Sequence, residues 1–144
     1  MRLFGRRKFI ERPLTEQEAF AGILIAAAAC DGRASRESLG HVRESLRRMK
    51  LFAEMRDSHL RAITDTLLRF LKYEGPLRLV DRCALALPTS LRDCAFANAC
   101  DRILEDRIVE STERDFLRRL QTALSLDGDT AFTIVEAMIA KNKG

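Results

Sequence analysis

The run AFAGILIAAAAC, Ala19 to Cys30, holds twelve residues without a charge. It is well short of the roughly 20 residues needed to span a bilayer. It is also small or apolar around most of its circumference, and a helix of that kind is stable only inside a protein, with other elements on all sides. Its Ala and Gly residues let neighbouring backbones come close. A second segment of similar character, CAFANAC from Cys94 to Cys100, is expected beside it at the centre.

The surrounding elements read as helices. No stretch alternates apolar and polar residues, and Val, Ile and Thr do not cluster as they would in strands. The punctuation is helical too. Thr15 begins TEQE, a capping box in which Thr15 and Glu18 satisfy each other's backbone amides. Gly32 can take the left-handed conformation that closes a helix. Ser35 caps a second helix, with Leu39, Val42, Leu46 and Met49 at helical spacing, ending near Lys50. A third runs from Asp57 or Ser58 to Tyr73 and stops at Gly75. Pro76 suits the first turn of a fourth, which stops before Pro88. Thr89 or Ser90 caps a fifth, a sixth starts at Glu110 or Ser111, and Asp129 caps the last. With 47% hydrophobic and 32% charged residues, seven Gly and three Pro in 144 residues, the expected fold class is all-α. It is a single compact bundle of about seven helices over residues 13–144, preceded by a basic arm over residues 1–12.

The chain carries 25 Lys and Arg against 21 Asp and Glu, a net charge of +4. Arg2, Arg6, Arg7, Lys8 and Arg12 lie in the arm with one acid, Glu11, which leaves the rest balanced at 20 against 20. The excess therefore marks a tail, solvated or touching a membrane surface or another protein, rather than a basic stripe for nucleic acid. With 6% aromatic residues, base stacking has little to draw on either, so no nucleic-acid partner is expected. The arm is followed by no signal-peptide pattern, and the expected location is cytoplasmic. Cys30, Cys83, Cys94 and Cys100 form no C-x-x-C pair and read as small core residues of a reducing compartment. His41 and His59 fall on different helices with no nucleophile motif beside them, and no Gly-rich phosphate loop is present. The expectation is a non-enzymatic protein.

Acids at helix corners are the best functional candidates. Asp31 follows the apolar helix, and Asp106 occupies the matching place about 75 residues later. Aligning the two also sets Val42 on Leu117, Met49 on Leu124 and Leu51 on Leu126, a pattern of two helix hairpins related by pseudo-two-fold symmetry. An Asp at a helix C-terminus faces the negative end of the macrodipole, at a cost of about 0.3–1 kcal/mol. One explanation is a hard divalent cation, with Asp31, Glu37 and loop carbonyls as oxygen ligands. The other is structural: Asp forms turns through its own side chain, and Glu37 is stabilised in a first helical turn without metal. The Asp127-Gly128-Asp129 turn reads as a helix connection, and Asp101 with Glu105 as surface patterning.

The segments ACDGRASRES, LEDRIVESTERDFLRRL, LPTSLRDCAFANA and AMIAKNK together resemble the tellurite-resistance TerB family over nearly the whole chain after the arm. Members of that family are small all-helical domains with two acidic corners, and a related domain stands at the front of the membrane-anchored co-chaperone DjlA. The resemblance implies a stress-response protein binding a divalent cation, Ca²⁺ or Mg²⁺, through Asp31 and Glu37 at one corner and Asp106 and Glu113 at the other. At the second corner Arg107 stands where the family pattern has Gly. The alternative is a metal-free protein-interaction module of a membrane-associated stress complex, with protein partners at the inner membrane surface or a homodimer.

Overall fold

The computed structural model describes residues 12–32, 34–105 and 108–144. Among the described residues seven α-helices follow one another: α1 Glu16–Ala29, α2 Arg36–Arg47, α3 Asp57–Glu74, α4 Pro76–Ala86, α5 Arg92–Leu104, α6 Ser111–Ala123 and α7 Gly128–Lys141. Short 3₁₀ turns at Lys50–Phe52 and Thr89–Leu91 precede α3 and α5. There is no strand among the described residues, and none of the helices is long and apolar enough to cross a membrane.

Helix α1 is the hub. From Glu18 to Ala27 every residue is buried, and α2, α3, α4 and α5 all pack on it. Gly22 makes the closest approach possible: the space where its Cβ would stand is occupied by the Cys83 sulfur of α4, with Leu67 of α3 and Leu79 of α4 alongside. At the far side Phe20 meets Phe52 edge to face, ring centres 6.3 Å apart, an arrangement aromatic quadrupoles favour. The second expected central helix is buried on one side only. Ala95, Phe96, Ala99, Cys100 and Ile103 of α5 are in the core, whereas Cys94 is exposed and Asn98 donates back to the Cys94 carbonyl at 2.9 Å. Cys94 is thus not a core residue, although Cys83 and Cys100 are.

The helix ends are set by local chemistry. Thr15 and Glu18 form the expected capping box, and Gly32 closes the corner after α1 at φ 79°. Ser35 caps α2 reciprocally with Ser38. Two caps differ from expectation. Thr89 and Ser90 are spent in the 3₁₀ turn, so α5 begins after Leu91 without a side-chain cap. The last helix is capped by Asp127, not Asp129, because Asp127 reaches both the amide (2.7 Å) and the hydroxyl (3.2 Å) of Thr130.

Arg12, the last residue of the arm, is anchored. Its guanidinium makes a two-pronged bond to the Glu18 carboxylate, both distances 2.7 Å, and its carbonyl accepts from Arg82 of α4 at 3.0 Å. Glu18 also accepts from the Thr15 amide. The Arg12 hydrogen bond, outweighing partial burial, holds the Glu18 carboxyl below its ordinary value. The rest of the arm, residues 1–11, lies outside the described residues.

A second guanidinium ties helix ends together. Arg92 donates to the carbonyls of Leu124 (2.8 Å), Ala84 (3.3 Å) and Leu87 (3.4 Å). These belong to the ends of α6 and α4, where the last carbonyls of a helix have no intrahelical donor.

Candidate functional site

Asp31 is half-buried in the turn after α1, and Glu113 is buried in the first turn of α6. Both carboxylates act on the Cys30 thiol, which burial first, then Glu113, then Asp31 push up to about 12. Burial and two neighbouring acids thus favour the protonated Cys30 thiol. Glu113 also has a structural duty, accepting from the Glu110 amide at 2.9 Å.

Glu37 is exposed in the first turn of α2. Among the described residues, no group of three or more His, Cys, Asp and Glu is placed to hold a metal ion. Asp31 in the turn after α1 and Glu37 in the first turn of α2 flank the first corner, and Glu113 in the first turn of α6 belongs to the second. Asp106 and Arg107, on which the equivalence of the corners turns, lie outside the described residues. His41 and His59 are both exposed, on α2 and α3.

A groove of about 690 Å³ opens where the α3–α4 corner faces α6. Cys30, Pro76, Leu77 and Phe116 contribute its apolar wall, and Glu74, Arg78, Asp115 and Arg119 its rim. The rim is largely self-neutralised: Arg78 pairs with Glu74 at 3.0 Å and Arg119 with Asp81 at 2.6 Å. The positive φ of Gly75, 88°, makes the corner tight enough to bring Leu77 to the opening. A neighbouring groove of about 440 Å³ shares Glu74 and Arg78 and ends at Leu85. Leu77 and Leu85 lie eight positions apart on α4, hence on one face and about 12 Å apart, and they are 42% and 86% exposed.

The balanced charge of the body conceals a local excess. A third groove, about 640 Å³, runs between α2 and α3 and is lined by Arg36, Arg43, Arg61, Arg69 and Lys72 against one acid, Asp65. Arg43 is used internally, donating to Thr64 at 2.8 Å and Asp65 at 3.0 Å and so tying α2 to α3. Among the described residues, Arg36, Arg61 and Lys72 form no ion pair. Net charge could not show this groove. The signal was Arg36 and Arg43 seven apart on one helix, with Arg61, Arg69 and Lys72 at spacings of eight and three on the next, spacings that share a helical face.

In comparisons with known proteins, the chain matches no family model, no curated protein and no solved structure.

Proposed function

We propose that this chain is a non-enzymatic, TerB-like helical domain of the stress response that works by binding a protein partner along α4. The observation that carries this is the pair Leu77 and Leu85, two apolar side chains held out to solvent on one helical face and each lining a groove. Exposed large apolar residues beside a concave, charge-neutralised surface are what a partner's apolar anchors require, because burial there desolvates few unpaired charges. The occupant that fits is a partner helix whose apolar residues fall about two turns apart. The likeness of the sequence to the TerB family supports the stress-response context.

The double substitution Leu77→Asp/Leu85→Asp tests it. Both side chains are exposed, so the melting temperature is expected to stay within the range of ordinary surface changes, about 0.5 kcal/mol. Affinity enrichment from cells producing the chain is expected to recover one or more proteins with the wild type and to lose them with the variant. In a strain lacking the chain, only the wild type should restore growth under tellurite. Equal recovery and equal growth with both would sink the assignment.

The approach of Asp31 and Glu113 to Cys30 supports a second reading, a divalent-cation site between the corners. The donors are hard carboxylate oxygens, suited to Ca²⁺ or Mg²⁺. Two carboxylates fall short of the six or more oxygens such ions take, so loop carbonyls and water would complete the shell. Titration calorimetry of metal-stripped protein is the check. Saturable uptake of Ca²⁺ or Mg²⁺ that Asp31→Asn abolishes and Glu113→Gln weakens is the expected result, the Gln keeping the cap on α6. No heat from either ion would leave the acids as turn and cap residues.

A further inference from the structure

We infer that the groove between α2 and α3 is a second docking site, specific for an acidic amphipathic helix of a partner protein. It is separate from the α4 face and does not depend on it. Its floor is apolar: Leu39 of α2 and Leu68 and Leu71 of α3 are partly buried, packed against the core and open to the groove. Its walls are cationic, with Arg36 and Arg61 on opposite sides and Arg69 and Lys72 further along α3. Two helices flanking a leucine floor offer the seat that a third helix fills in a bundle.

Charge chooses the occupant. Arg36, Arg61 and Lys72, which form no ion pair among the described residues, call for carboxylates, and two of the three are arginines, whose planar fork grips a carboxylate through two hydrogen bonds. The leucines call for apolar side chains on the same ligand, at the spacing of successive helical turns. A nucleic-acid backbone would satisfy the cations but leave the leucine floor unfilled, and no aromatic side chain lines the groove for base stacking. The complement is a helix with Leu or Ile along one stripe and Glu or Asp on both flanks.

The internal tie from Arg43 to Thr64 and Asp65 has a part in this. It sets the separation of the two walls without consuming the cations at the rim, so the seat is already shaped before a ligand arrives.

The test uses the full chain and a defined probe: a fluorescein-labelled peptide of about fifteen residues, long enough for four turns, with leucines at helical spacing and glutamates on both flanks. Fluorescence anisotropy should show saturable binding that weakens as salt rises from about 50 to about 300 mM. Arg36→Glu/Arg61→Glu should weaken it by about tenfold or more. Both positions are exposed, and a glutamate at position 36 sits in the first turn of α2, where an acid is favoured, so the fold is preserved. Replacing the peptide's glutamates by glutamine, or its leucines by serine, should each reduce affinity by a similar factor. Leu77→Asp/Leu85→Asp should bind the peptide as the wild type does.

Equal binding by the Arg36→Glu/Arg61→Glu protein, or binding that survives loss of the leucines, overturns the proposal. So does loss of peptide binding in the Leu77→Asp/Leu85→Asp protein, which would move the peptide to α4. Tighter, Arg36- and Arg61-dependent binding of a single-stranded oligonucleotide or of phosphatidylserine vesicles also overturns it, in favour of a phosphate ligand. Apart from that transfer to α4, none of these outcomes bears on whether α4 recruits its own partner.

Discussion

Gly22→Val is expected to lower the unfolding free energy by about 3 kcal/mol, at the upper end of what overpacking a close-packed core costs, and the melting temperature by roughly 10 °C. Gly22 sits mid-helix, where Gly is intrinsically worse than Ala by about 1 kcal/mol, so propensity alone predicts stabilisation. Packing reverses the sign. The Cys83 sulfur fills the place of the missing Cβ, and Leu67 and Leu79 close the sides. Cys83 itself is fully buried and cannot swing into solvent. The check is a double-mutant cycle by chemical denaturation. Cys83→Ala alone should destabilise by about 1 kcal/mol through the cavity it leaves, yet in the Gly22→Val background it should restore part of the loss. Additive effects would mean that the two side chains do not contend for the same space.

Arg92→Met should cost about 2–3 kcal/mol, although residue 92 is partly exposed and makes no ion pair among the described residues. Its worth lies in three carbonyls. Met keeps most of the volume and the apolar stem but leaves the C-terminal carbonyls of Ala84, Leu87 and Leu124 without their charged donor, and hydrogen bonds from charged groups contribute about 1.5–3 kcal/mol. Lys at this position should recover less than half, since a single ammonium cannot cover three acceptors in a planar fan. Hydrogen exchange provides a specific readout: amides at the ends of α4 and α6 should lose protection before those of α1. Uniform loss of protection across all helices would contradict the local role.

The helices were legible where their causes are local. Thr15 with Glu18, Ser35, Gly32 and Pro76 each act on backbone groups within four residues, and the structure has helix ends at each of them. The Asp127-Gly128-Asp129 turn shows the limit of that logic. Either acid can cap, and the choice fell to Asp127 because the Thr130 amide and hydroxyl both lie within its reach, a fact of geometry rather than of residue type. Arg92 was invisible for a different reason. An arginine after Thr-Ser-Leu reads as a surface cation, and only the meeting of the α4 and α6 ends around it makes it structural.

The site divides the same way. The apolar circumference of α1 foretold its central position, and Asp31 was marked by its unusual place at a helix end. That Glu113 would act on the Cys30 thiol beside Asp31 depends on how α6 packs, which no local pattern encodes. The basic groove was hidden by addition: 20 cations and 20 acids cancel over the body, but charge acts where it stands, not in the sum.

The place of α1 in the chain order has a consequence for synthesis. The helix on which α2, α3, α4 and α5 pack is made before any of them. At about 5–20 residues per second, the ribosome needs roughly 3–11 s after Ala29 to complete α4, the helix whose cysteine nests against Gly22. During that interval the greasiest segment of the protein has only α2 and α3 to cover it. Until α4 arrives the notch at Gly22 stays open, so chaperone capacity as well as final stability should bear on how much of the protein a cell accumulates.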